Sequence, residues 1–216
     1  MVDRATMVSC YHLLAEVLLY PEERNQELIQ QLAPRVKVAP DEVSKPLLEL
    51  LNDPAIDDCG AYLEELEMSR KHPLFLGFYL FDEPESCQSA GTCGRNGYMI
   101  ELTAIYRHYG FETDGREMPD FLPLVLDFLA LSADQREGDR GARRTMLIER
   151  YLQPAATAMQ KRFVEHTGPW SLAVDGFLAL LSAELDEPGL VRSPVPSSPQ
   201  KTPIPLSVVE SSKELA

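Results

Sequence analysis

Basic residues are in short supply in this chain: 20 Lys and Arg stand against 34 Asp and Glu, a formal charge of −14 over 216 residues. The last 29 residues carry three basic and two acidic side chains, which leaves residues 1–187 at −15. Such a body repels a phosphate backbone. The segment richest in basic residues, 136–150, mixes five arginines with three acids, so no basic stripe for nucleic acid emerges. An acidic surface instead concentrates basic ligands or peptides. Cysteine is scarce as well: Cys10, Cys59, Cys87 and Cys93 are too few and too scattered for a disulfide framework. Long apolar runs are missing. The opening "MVDRATMVSCYHLLAEVLLYP" is cut by His12 and Glu16, too short and polar for a signal peptide or a membrane span, and the expected address is cytoplasmic.

Chemistry-bearing patterns are equally sparse. "GTCGRNG" lacks the spacing of a phosphate-cradling loop and has no strand before it. Cys87 and Cys93, with His72 and His108 possible neighbours, invite a zinc or thiol-enzyme reading. Structural zinc sites use closer pairs such as Cys-x2-Cys, and no second pair exists here. A thiol nucleophile needs a lowered pKa and a base nearby, and Cys10 and Cys59 fall on apolar helix faces. His12, His108 and His166 read as surface or satisfied core residues. No catalytic residue, metal site or bound cofactor is expected.

What the chain has in quantity is helical periodicity, and alternation of the strand kind is nearly absent. Val8, Tyr11, Ala15 and Leu18 line a first helix ended by Pro21, which suits the first turn of a second; Leu28, Ile29 and Leu32 line that second helix, which Pro34 should stop. Leu47, Leu50 and Leu51 mark a third, and Cys59, Tyr62, Leu63 and Leu66 a fourth with Cys59 in the core. Tyr98, Leu102, Ile105, Tyr106 and Tyr109 repeat the pattern and stop at Gly110. A later helix should run from about Arg143 through Phe163 with a break or kink near Pro154, and the last opens at Pro169 with Ala173, Phe177, Leu180 and Leu181 inward. The fold class is therefore all-α, a single helical bundle over residues 1–187. Residues 188–216, with six prolines and six serines, read as a disordered tail.

Within this bundle "GREMPDFLPLVLDFLALS" (115–132) stands out. Pro123 suits a helix's first turn, which puts Asp120 at the N-cap, accepting from a backbone N–H near Leu122, with its carboxylate at a groove rim beside Glu117. The apolar residues that follow cover almost every face, so the helix should be central.

The stretch "REMPDFLPLVLDFLALS" resembles the pattern of NarJ-type assembly chaperones for molybdenum-containing reductases, relatives of the TorD and DmsD chaperones: an acidic residue, Pro-Asp-His, then Leu-Pro and an apolar helix. "HPLFLGFYLFDEPES" resembles that family's preceding Tyr-Leu-Phe segment, and "RNGYMIELTAIYRHYGFET" its leading helix. The likeness spans about residues 5–185 and is specific over 72–132. It implies an all-helical chaperone without catalytic activity. Its partner would be the apo catalytic subunit of a molybdenum-containing reductase or dehydrogenase, held by its N-terminal leader peptide during insertion of the molybdenum cofactor. Glu117, Pro119, Asp120, Phe121, Tyr79 and Phe81 would then contact the peptide. Phe121 departs from the family's histidine, and "DEPESCQSAGTCGRNG" departs from its His-Gly-rich turn. The client implied is a nitrate reductase or, given these two departures, a related chlorate, selenate, dimethyl sulfide or hydrocarbon-oxidising enzyme. A helical peptide-binding adaptor with no part in cofactor insertion remains the alternative, since it would offer the same acidic groove.

Overall fold

Helix α1 (Arg4–Val17) starts where Asp3 accepts the Thr6 amide at 3.1 Å, a side-chain cap for an otherwise unpaired donor. Leu13, Leu14 and Val17 are fully enclosed along it. The computed structural model that shows this describes residues 2–68, 72–81, 94–163, 168–188 and 190. Among these, no strand forms; the backbone is a helical bundle with one isolated antiparallel bridge, Phe75 to Phe121. Helices α2 (Gln26–Val36) and α3 (Asp41–Asn52) follow, then α4 (Cys59–Tyr62), which widens into a π turn over Leu63–Glu67. A short α5 (Gly77–Leu80) precedes α6 (Gly94–Tyr109) and α7 (Leu122–Leu131). Next comes α8 (Gly138–Leu147), a π turn over Ile148–Leu152, α9 (Gln153–Phe163) and α10 (Trp170–Leu185).

The central position expected for α7 holds: Leu122, Val125, Leu126 and Leu129 are enclosed, and α7 packs along α1. Phe128 meets the rings of Tyr106 at 4.7 Å and Tyr109 at 5.2 Å, tying α7 to α6. Against the other side of the bundle α10 packs on α3 and α9, and Gly176 is what lets it close on α3. A Cβ there would stand 2.5 Å from Leu47 Cδ2. One polar knot crosses this core. Glu184 of α10, 1% exposed, accepts from the Arg144 guanidinium of α8 and from Tyr11 Oη of α1 at 2.8 Å, and Arg144 also donates to Ser132 Oγ.

Local expectations meet several corrections. Pro34 does not stop α2, which runs to Val36, because a proline two residues from a helix end removes only one hydrogen bond. Pro21 heads a separate 3₁₀ turn (Pro21–Glu23), and α2 has its own cap, Asn25 Oδ1 accepting from the Leu28 amide at 3.0 Å. Cys59 is half-buried rather than core; Cys10 is enclosed, its thiol pushed up to about 12 by burial and then by the charge of Asp3. The helix placed at 143–163 starts earlier, at Gly138, and the break expected near Pro154 is present as a π turn over Ile148–Leu152. That turn binds Gln153 N back to Ile148 O, so the missing proline N–H falls where the ladder is already shifted. Of the segment read as a tail, only Pro188 and Leu190 are described, and Cys87, Cys93 and His166 lie outside the described residues.

Candidate functional site

Asp120 is the buried charge around which the segment 72–81 and the starts of α6 and α7 are organised. Leu76 N donates to Asp120 O at 3.0 Å and Leu122 N to Leu74 O at 2.7 Å, and these two bonds frame the Phe75–Phe121 bridge. That bridge corrects the expected cap. The helix start is at Leu122 with Pro123 in its first turn, but the N-cap position falls on Phe121 and no side chain caps it. Because Leu74 O already takes the first helical amide, the Asp120 carboxylate is free to turn the other way. Its Oδ2 accepts from Gly77 N at 2.9 Å and from Arg95 Nη2 at 3.4 Å. Nor does Asp120 sit at a solvent rim beside Glu117: it is 0% exposed, while Glu117 is exposed.

Gly77 makes this possible by lacking a side chain. A Cβ there would lie 2.6 Å from Asp120 Oδ2 and 3.0 Å from Arg95 Nε. Asp120 Oδ1 and the neighbouring Tyr98 Oη are both buried without a hydrogen-bond partner among the described residues. Burial, and next the Asp120 charge, push the Tyr98 phenol well above its ordinary range. Pro119 lends its carbonyl to Tyr106 Oη at 2.8 Å, which fixes the approach to Asp120 from the α6 side.

Partly buried aromatics lie on the segments that the carboxylate joins, in three groups. Phe121 packs on Phe75 with centroids 5.5 Å apart, and Phe78 meets Tyr79 edge-on at 5.1 Å. Tyr79 Oη donates to Pro73 O at 3.1 Å, and the Arg162 guanidinium of α9 lies 4.7 Å from the Phe78 centroid and 5.6 Å from that of Tyr79. Phe81 leans on Tyr98 at 5.6 Å. Of the residues singled out from sequence, Pro119, Asp120, Phe121, Tyr79 and Phe81 all belong to segments joined through this knot, and Glu117 stands on the exposed approach. Sequence reasoning missed Gly77, Arg95 and Arg162. The glycine inside an aromatic run, "FLGFYLF", was the signal available for the first.

The nitrate reductase delta subunit family is matched over residues 60–174. The chain belongs to that family. The match takes in the whole Asp120 knot, from α4 into α10. Among curated relatives, the probable nitrate reductase molybdenum cofactor assembly chaperone NarW of Escherichia coli K12 is 26% identical over 143 residues, 66% of this chain and 55% of that protein. The nitrate reductase molybdenum cofactor assembly chaperone NarJ of the same organism is 23% identical over 205 residues, 91% of this chain and 80% of that protein. The aligned stretch thus spans little more than half the length of the first relative.

Other places in this nitrate reductase delta subunit family member offer less. A cavity of about 350 Å³ lies at the α8–α10 end, lined by Arg136, Arg144, Glu184 and Glu187, but Arg136 is paired with Glu187 and Arg144 with Glu184. His72 packs on Phe163 at 4.4 Å and His108 meets Asp139 at 3.1 Å, so the two histidines once considered as ligands are engaged separately. Among the described residues no group of three or more His, Cys, Asp or Glu is placed to hold a metal ion. No described helix is long and apolar enough to cross a membrane.

Proposed function

We propose that this chain is an assembly chaperone that binds the N-terminal peptide of a molybdoenzyme catalytic subunit and holds that subunit during cofactor insertion. The observation that carries the reading is the belt of partly buried aromatics, Phe75, Phe78, Tyr79, Phe81 and Phe121, on the two segments that one buried carboxylate joins, inside the stretch matched by the family. Half-exposed aromatics supply large contact area with few rotamers to immobilise, which is what an apolar peptide face requires. The formal charge of −14 draws basic segments toward the protein as a whole. The names of the Escherichia coli relatives support an assembly role. Phe121, where a histidine was expected from the family pattern, packs on Phe75 and makes the peptide contact more apolar.

The test is calorimetric titration with synthetic N-terminal peptides of molybdoenzyme catalytic subunits, a nitrate reductase's first. Tyr79→Ala and Phe121→Ala should each weaken binding about tenfold or more, the usual scale for an aromatic anchor. Glu117→Gln should weaken it only a few-fold, and salt should erase that difference because Glu117 is exposed. Unchanged affinity in both aromatic variants, with folding intact, would remove the belt from the binding surface. Binding without any change in the client's molybdenum content when the chaperone is deleted would leave an adaptor.

A further inference from the structure

Arg95 meets Asp120 at 3.4 Å, Arg136 meets Glu187, Arg144 meets Glu184, and Arg150 meets Glu101 at 3.7 Å. Arg162 is placed differently. Its guanidinium lies over the rings of the belt, 4.7 Å from the Phe78 centroid and 5.6 Å from that of Tyr79, and among the described residues it enters no ion pair. Tyr79 does not act as its counterion, because burial pushes that phenol well above its ordinary range and keeps it neutral. Ring faces hold the cation and leave the N–H donors in the guanidinium plane without an acceptor. Arg162 is exposed, on the last turn of α9. In a chain of 34 acids and 20 bases, an unanswered cation on this face runs against the surrounding field.

From this we propose that Arg162 is a specificity-determining residue that takes a carboxylate, the side chain of an Asp or Glu in the client peptide, while Phe78 and Tyr79 take an apolar residue beside it. The inference rests on the peptide-binding reading above and adds one element of the partner's chemistry. Basic residues draw a peptide to a protein of charge −14 without choosing how it lies. A single acid that must meet Arg162 fixes one register and one direction. A Lys or Arg at that place would meet a like charge on a held guanidinium, so the same residue rejects misplaced peptides. Contact with two rings also positions the planar fork in advance, so that little freedom is lost when the carboxylate arrives.

Two arms test this, and the first needs no client. Phenylpropionate, a ring and a carboxylate on one short stem, is titrated into the full chain while the Phe78 and Tyr79 amide resonances are followed. Saturable movement is expected, about threefold or more weaker with neutral phenylpropionamide, and this preference should vanish in Arg162→Gln. No saturable movement, or equal affinity for acid and amide, overturns the site. In the second arm a glutamate is placed at successive positions of an otherwise acid-free nitrate reductase N-terminal peptide, and each peptide is titrated calorimetrically. One position should gain about three- to fivefold, the upper scale of an exposed ion pair, and lose the gain in Arg162→Gln. With Arg162→Glu, lysine at that position should bind better than glutamate. A gain that survives Arg162→Gln, or no gain at any position, overturns the register role. If no peptide of the set binds the parent protein, the peptide-binding reading fails, and the phenylpropionate arm still decides whether Arg162 takes a carboxylate.

Discussion

Glu184→Gln should cost the protein about 3–5 kcal/mol of stability, the scale for breaking a buried ion pair from one side. Glu184 is 1% exposed and Arg144 2%, so the guanidinium left behind keeps its charge with no water to receive it. Burial alone would push the Glu184 carboxyl up, but Arg144, Arg136 and the Tyr11 hydroxyl outweigh it and hold the group below its ordinary 4.5. Burial likewise pulls Arg144 down, and the Glu184 charge more than restores it. The sign for pH follows. A carboxyl depressed in the folded state lends stability that is complete above 4.5 and disappears as pH falls through the lower folded value. The parent should therefore weaken in acid over that window, and Glu184→Gln should show a flatter profile there. Urea unfolding at several pH values measures both effects. Arg144→Met/Glu184→Leu should recover most of the loss, since an apolar pair of similar volume leaves no charge stranded. A single variant within about 1 kcal/mol of the parent would show that the pair is not held as described.

Gly77→Ala is the second large effect. The added carbon would meet Asp120 Oδ2 at 2.6 Å and Arg95 Nε at 3.0 Å, and the carboxylate has nowhere to retreat because it is fully enclosed. A loss of about 1–3 kcal/mol is expected from such overpacking. Peptide binding should fall further, because the displaced carboxylate no longer joins the segment 72–81 to the starts of α6 and α7. Gly97→Ala provides the contrast. Nothing stands within 4 Å of a Cβ there, and the site lies inside α6. Alanine should stabilise that helix by about 0.5–1 kcal/mol. Thermal melts of the two variants against the parent give the comparison. A Gly77→Ala protein as stable as the parent, with peptide affinity intact, would mean that the carboxylate and Arg95 are not packed over this glycine.

The helical class and most core faces were legible because burial on a helix repeats every three to four residues. Tyr98, Leu102, Ile105, Tyr106 and Tyr109 are all enclosed, as their spacing requires, and Gly110 takes the left-handed conformation at φ 89°. Asp120 shows where such reading stops. Its position before a helix start was readable, but its direction depends on a bridge between residues 75 and 121, a pairing across more than forty positions that no local pattern announces. The buried Arg144–Glu184 pair was hidden for the same reason. Each residue alone looks like part of a solvated helix face, and only the packing of α8 against α10 and α1 removes both from water. Arg95 lay inside a loop-like "CGRNG" and carried no mark of the carboxylate it would face.

The π turn at Ile148–Leu152 also bears on how the chain tolerates change in length. Leu147, Tyr151, Ala155, Met159 and Phe163 are all buried, one every fourth residue. Four residues carry an ordinary α-helix about 40° beyond a full circle, so a strict spacing of four would wind this stripe off its neighbours within a few steps. The wider turn takes up part of that drift and keeps Leu147 and Met159 on a common seam. A deletion of one residue within 148–152 would let the turn close as an ordinary α-turn with Met159 and Phe163 still on the seam, whereas a deletion between 155 and 158 would swing both by about 100°. The π turn is thus the one point along this buried stripe where the helix can lose a residue and keep its packing face.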